Sequence, residues 1–243
     1  MIFSIATRSF ADLFAPAIRS VLWKVIGLTL VVLVAFWLLI RSLFVAWIGP
    51  YFEPYLSGMG EWAGWLTFIV GLFAAFGLAA GLGMLLAPVS AIIAGLFLDD
   101  VADVVEGTDY PADPPGQALP LMTSILASLR FFLVVVLANI VALLFLLVPG
   151  VNLVIFFVVN GYLIGREYFE FAASRFRGVK GARAFRSERQ GTVMLAGLVI
   201  ALFLFVPILN ILTPLYAAIF MVHLNKALSK ASPVSHASAT PIR

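Results

Sequence analysis

The sequence predicts an all-α integral membrane protein, and composition predicts it before any motif does. Of 243 residues, 63% are hydrophobic and 11% are charged, where an average soluble domain carries roughly 25% charged residues. A soluble chain of this length would need far more polar side chains to cover its core. The second observation is a set of long apolar runs, several near the ~20 residues that a helix needs to cross a ~30 Å hydrocarbon layer. The third is aromatic content: 22 Phe and 5 Trp suit acyl chains and interfaces. Cysteine is absent, which excludes disulfides, zinc–thiolate centres, iron–sulfur clusters and cysteine nucleophiles.

Residues 1–230 read as a single helical membrane domain, followed by a short polar tail, 231–243, expected to be disordered. In the first segment, 1–21, Phe3, Ala6, Phe10, Leu13, Ala17 and Val21 recur every three or four residues, which marks one face of an amphipathic helix. Such a helix lies in the bilayer interface or packs on the protein's own cytoplasmic side, and both arrangements fit. Pro16 should end it, because proline lacks a donor and clashes one turn back, yet suits the first position of a new helix. Arg8 and Arg19 precede the first long apolar run and no small-residue cleavage site follows, so an uncleaved first span is expected.

Residues 22–98 are expected to hold two spanning helices. The first runs from Leu22 to Ile48, with Arg41 reaching out to the interface because a charge at mid-bilayer is costly. The connection Gly49 to Gly60 is rich in Pro and Gly and has no basic residue. From Trp62 to Leu98 the chain is uncharged for about 37 residues, about 55 Å of helix at 1.5 Å per residue. That is too long for one bilayer core and barely enough for two. One span, Trp65 to Leu86, is expected, with Pro88 kinking the helix and the rest continuing at the cytoplasmic face.

Segment 99–120 carries Asp99, Asp100, Asp103, Glu106, Asp109 and Asp113 with no Lys or Arg. Its spacing lacks the glycine and terminal Glu of a calcium loop, so no metal is expected. A solvated helix end followed by a proline-rich loop is the reading adopted.

The second half repeats itself. Val148-Pro149-Gly150-Val151-Asn152 and Val206-Pro207-Ile208-Leu209-Asn210 share V-P-x-x-N, and each sits between two apolar arms. This predicts two helical hairpins, 121–174 and 191–230, tipped by Pro149, Asn152, Pro207 and Asn210. Proline forces the turn, and Asn can bond freed backbone groups nearby. The arms before the prolines are short for a full crossing. Two arrangements remain open: tips inside the membrane, tolerated only where protein or a wet cavity surrounds them, or turns at the far interface of a plain bundle. Between the hairpins, 175–190 is a basic loop, with Arg175, Arg177, Lys180, Arg183, Arg186 and Arg189 following Arg166. The positive-inside rule makes it cytoplasmic, together with both termini.

These residues carry a resemblance. Phe10 to Arg19, ending in Pro-Ala-Ile-Arg before the first span, is one part; Ala87-Pro88 and a polar helix ending in Glu106-Gly107 are another. Pro149-Gly150, the block Glu167-Tyr168-Phe169-Glu170-Phe171, the basic segment Arg183 to Arg189 and the run Val206 to Pro214 complete it. From about residue 8 to 230 the chain resembles the CysZ family of bacterial sulfate permeases. One departure is the arginine motif, where relatives often have Gly-Leu-Arg or Pro-Gly-Ile-Arg. The resemblance implies a multi-pass protein of the inner membrane that imports sulfate, or a related oxyanion, for cysteine biosynthesis. It also implies two long spanning helices, two partly penetrating hairpins and a homo-oligomer, with the lipid bilayer as the other partner. Neither a cofactor nor nucleic acid is implied.

The site expected from this combination is sulfate-binding: Ala17, Ile18, Arg19 and Ser20. A helix starting at Pro16 after Ala15 has no side-chain cap, so its first N–H groups are available to an anion. The Arg19 guanidinium adds a planar fork of donors. Arg19 could equally meet a lipid phosphate or Asp12. Arg166, Glu167 and Glu170 end an apolar arm, where charges are paired or line a pathway, and Arg166 and Glu170 are one turn apart. A non-transporting membrane scaffold or assembly factor is the alternative function. An enzyme is not expected: His223 and His236 stand isolated in sequence, and no HExxH, GxSxG or phosphate loop is present.

Overall fold

The computed structural model describes residues 1–48, 50–51, 62–120 and 151–231, and positions 122, 123, 126, 133 and 137. The expected periplasmic connection, the Pro149 tip with the arm before it, and the tail thus fall largely or wholly outside the described residues. Helix α1 spans Ile2–Leu13 and α2 Pro16–Leu43, closing in a π turn at Phe44–Ile48. Then come α3 (Trp62–Leu96), α4 (Leu98–Asp109), α5 (Val151–Glu188), α6 (Gln190–Ala201), a 3-10 turn (Leu202–Phe205) and α7 (Pro207–Lys230). No strand occurs among the described residues.

The chain forms two compact units, Leu22–Leu96 and Met1–Val21 with the chain from Phe97 onward. Long apolar helices dominate the first. The stretches Pro16–Trp47 and Gly64–Gly83 are long and apolar enough to cross a membrane, with only 6% and 0% of their apolar windows buried. Phe36, Trp37 and Leu39 stand exposed on α2, and Phe68, Phe73 and Phe76 on α3. Apolar surface on this scale is stable only in hydrocarbon. The protein is an all-α integral membrane protein. α3 continues past Pro88 for 35 residues in all, about 52 Å, so it outruns a single crossing. Arg41 lies 5.7 Å from the centre of the Trp37 ring, a cation–π pair suited to an interface.

α7 is the centre of the second unit. Every residue from Leu215 to Val222 is buried, because a helix that is apolar all round must be surrounded. Helices α1, α4 and α5 and the 3-10 turn pack against it. Tyr216 stacks on Phe203 with ring centres 4.1 Å apart, and its hydroxyl donates to the Ala6 carbonyl at 3.2 Å. That bond shows how α1 sits. Its buried face is Ile5, Ala6, Ser9 and Leu13, rotated from the apolar face the spacing predicted. Ser9 tolerates burial because its hydroxyl donates to the Ile5 carbonyl at 2.8 Å, and Phe3 and Phe10 are left outward. α1 therefore packs on protein with one face and keeps aromatic side chains on the other.

α5 and α6 touch backbone to backbone. A Cβ added at Gly165 would lie 2.7 Å from the Val193 carbonyl oxygen, and one at Gly161 would lie 2.6 Å from Leu198 Cδ2. One added at Gly197 would collide with the Gly161 carbonyl. Small residues four apart permit this close approach, as in many membrane helix pairs. The basic segment read as a loop is in fact helical on either side of Gly178, whose φ of 64° is open to glycine at no steric cost. The stretches Val154–Glu188 and Gln190–Leu204 meet at 93°, as a broken span or re-entrant loop would.

At the second tip, Val206 is extended and Pro207 opens α7. The Asn210 backbone N–H donates to the Val206 carbonyl at 2.8 Å, and no side-chain cap forms. The return arm, Leu209–Lys230, is itself long and apolar enough to span, with 83% of its apolar window buried.

Candidate anion sites

Arg19 stands exposed in the first turn of α2, beside exposed Ala17 and Ser20 and buried Ile18. The helix does start at Pro16 without an acidic residue in its first turn. The number of free donors is smaller than sequence predicted. The Ile18 and Arg19 N–H groups both donate to the Ala15 carbonyl, at 3.0 and 2.9 Å. Ala15 cannot cap with its side chain, but its carbonyl takes two donors, which leaves the exposed Ala17 N–H at the helix start. Among the described residues no salt bridge engages Arg19; Asp12, one alternative partner, pairs elsewhere.

A second cationic cluster lies on α5. Arg166 Nε meets Glu170 Oε1 at 3.3 Å, the one-turn pair the spacing predicted. Two more arginines join it: Arg183 Nε at 3.3 Å from Oε2 and Arg186 Nε at 2.9 Å from Oε1. All four side chains are mostly buried. Three guanidiniums thus converge on one carboxylate. Glu167, grouped with this pair in the sequence, is exposed. Asn152 lies in the first turn of α5.

The acidic segment is solvated only in part: Asp100 and Asp103 are exposed, whereas Glu106 is buried. Arg175, with a side chain 1% exposed, is clamped by Asp99, Asp103 and Glu106 of α4. Its Nε lies 3.0 Å from Glu106 Oε1, and each terminal nitrogen takes one aspartate. The proline-rich loop closes over this lock. Gly116 N–H donates to Glu106 Oε2 at 2.7 Å, and Gln117 N–H donates to the Arg175 carbonyl at 2.8 Å. A buried guanidinium needs this many acceptors, and the acids lack nearby bases in sequence because their partner comes from a distant helix.

His223 is likewise not isolated. It is buried on α7 with Nε2 2.9 Å from Asp12 Oδ2 and 3.7 Å from Asp109 Oδ2, while Nδ1 and the Tyr110 hydroxyl are 2.8 Å apart. Asp12, Asp109 and His223 offer ligand atoms within 4.8 Å of one another, but Arg8 Nη2 already supplies a positive charge, 2.6 Å from Asp109. Desolvation alone would lower the Arg8 pKa; the hydrogen bond and charge of Asp109 outweigh it and raise the value. Burial raises the Tyr110 pKa, so its hydroxyl stays protonated. The network ties α1, the end of α4 and α7 together just ahead of Pro16.

The family model described as sulfate transporter CysZ/Etoposide-induced protein 2.4 matches residues 5–214. The chain belongs to this family. The CysZ/Etoposide-induced 2.4 match takes in Arg19, the Arg175 lock, the Glu170 cluster and Asn210, and ends ahead of His223. No curated protein matches the chain.

Arg183 and Arg186 were missed as site residues because they lie on the far side of Gly178 from Glu170 and Arg166. One signal was available: arginines at 183, 186 and 189 recur every three residues, so they lie near one helical face.

Proposed function

We propose that this protein is a sulfate permease of the bacterial inner membrane that imports sulfate for cysteine biosynthesis and sulfur assimilation. Membership of a family described as sulfate transporters supports the substrate class. The observation that carries the reading is Arg19: an exposed guanidinium at the start of a long apolar helix, beside an exposed backbone donor and with no acidic residue in that first turn. An oxyanion would take the guanidinium fork and the Ala17 N–H together, and the partial positive charge of the helix start adds to the attraction. Both termini and the basic segment face the cytoplasm in this reading, because Lys and Arg concentrate there. The functional unit is a homo-oligomer that acts without a cofactor. The test is uptake of labelled sulfate into proteoliposomes. Accumulation above protein-free vesicles is expected; its absence contradicts the proposal.

A further inference from the structure

We infer that Glu170 is a resident counter-anion that occupies a second oxyanion site, and that the transported anion displaces it from Arg166, Arg183 and Arg186. The inference deepens the permease reading and rests on it.

Charge is the first argument. Three guanidiniums against one carboxylate leave an excess of two positive charges in a mostly buried place, which a divalent anion would balance. Buried charge of one sign is costly unless it is paired. Geometry is the second. All three arginines meet Glu170 through Nε, at 2.9 to 3.3 Å, so their terminal nitrogens are not committed to that carboxylate. A tetrahedral oxyanion has more acceptor oxygens than a carboxylate and can use them.

The Arg175 lock gives the contrast. There one guanidinium spends Nε and both terminal nitrogens on three acids, and backbone N–H groups close the site. That arrangement is saturated and structural. The Glu170 cluster inverts the charge ratio and leaves donors in excess, as an anion-exchange site needs.

Position is the third argument. Glu170 and Arg166 precede Gly178, whereas Arg183 and Arg186 follow it. The carboxylate therefore bridges the chain across its one left-handed residue among those described. An anion that replaces Glu170 would release that covalently anchored tie and let the two helical stretches part about Gly178.

Sulfate binding to the purified full-length oligomer decides the matter, measured by scintillation proximity for Glu170→Gln, Arg186→Gln and Arg186→Lys. Exchange predicts opposite signs. Glu170→Gln removes the competitor and tightens binding about tenfold, Arg186→Gln weakens it about tenfold, and Arg186→Lys recovers part of the loss. If Glu170→Gln does not fold, Glu170→Asp shortens the competitor and should tighten binding in the same direction. A structural staple predicts that the Gln variants shift affinity the same way or not at all, and that result overturns the inference. Wild-type protein that takes up sulfate while the variants behave as a staple leaves the permease reading standing. Wild-type protein that neither binds nor moves sulfate ends both.

Discussion

Arg175 and Glu106, 69 residues apart in sequence, meet with Nε and Oε1 at 3.0 Å and with both side chains almost wholly buried. Their pairing joins α4 to α5. Removing one partner of a buried ion pair strands the other, so Arg175→Met should cost about 3–5 kcal/mol. Asp103 also touches Arg175, but its side chain is 65% exposed, and Asp103→Asn should cost at most about 1 kcal/mol. Thermal unfolding in detergent separates the two. Equal losses would contradict the lock.

The glycines between α5 and α6 give a second test of packing. Gly165→Leu would push side-chain atoms into the Val193 carbonyl and should destabilise by about 1–3 kcal/mol or more. Gly107 has nothing within 4 Å of an added Cβ. Gly107→Ala should be neutral or gain about 0.4–1 kcal/mol through the unfolded chain. A thermal shift of equal size for both variants would argue that the helices do not touch through Gly165.

Most of the architecture was legible because it depends on local chemistry. The apolar runs, the helix boundary at Pro16 and the break before Pro207 all follow from hydrophobic length and from the missing proline donor. The sites were less legible. Arg175 finds its acids on a helix far away in sequence, and neither segment alone says that the other neutralises it. The same holds for His223, whose partners Asp12 and Tyr110 lie 211 and 113 residues away in sequence. At Ala15 the error was of another kind: counting side-chain caps overlooked a carbonyl that accepts two backbone donors. The rotated face of α1 reflects a hydroxyl bonded to its own helix, which hydrophobic periodicity counts as polar.

Topology is testable on a chain with no native cysteine. Single cysteines placed at Ser57 and Ser229 should label from opposite sides of the membrane, position 57 from the periplasm and position 229 from the cytoplasm. Labelling of position 57 from the cytoplasmic side alone would reverse the scheme.

The Tyr110–His223 contact should matter for stability rather than for anion affinity. Tyr110→Phe removes the hydroxyl beside His223 Nδ1, 2.8 Å away, and leaves a buried ring nitrogen without that partner. A loss of about 1–3 kcal/mol is expected from thermal unfolding, with sulfate affinity unchanged. A change in affinity at unchanged stability would move His223 into the anion path.

The proposed permease requires an oxyanion to be held by the exposed Arg19 guanidinium at the start of α2 and carried across the membrane. Labelled-sulfate uptake into proteoliposomes, run in parallel with equilibrium binding for wild type, Arg19→Ala and Arg19→Lys, tests it most directly. Wild type should accumulate sulfate. Arg19→Ala should bind about ten- to a hundredfold more weakly, the loss of a charge-assisted bond worth about 1.5–3 kcal/mol, and Arg19→Lys should recover only part of it because an ammonium lacks the planar fork. Folded Arg19→Ala protein with unchanged sulfate affinity and uptake would contradict the account.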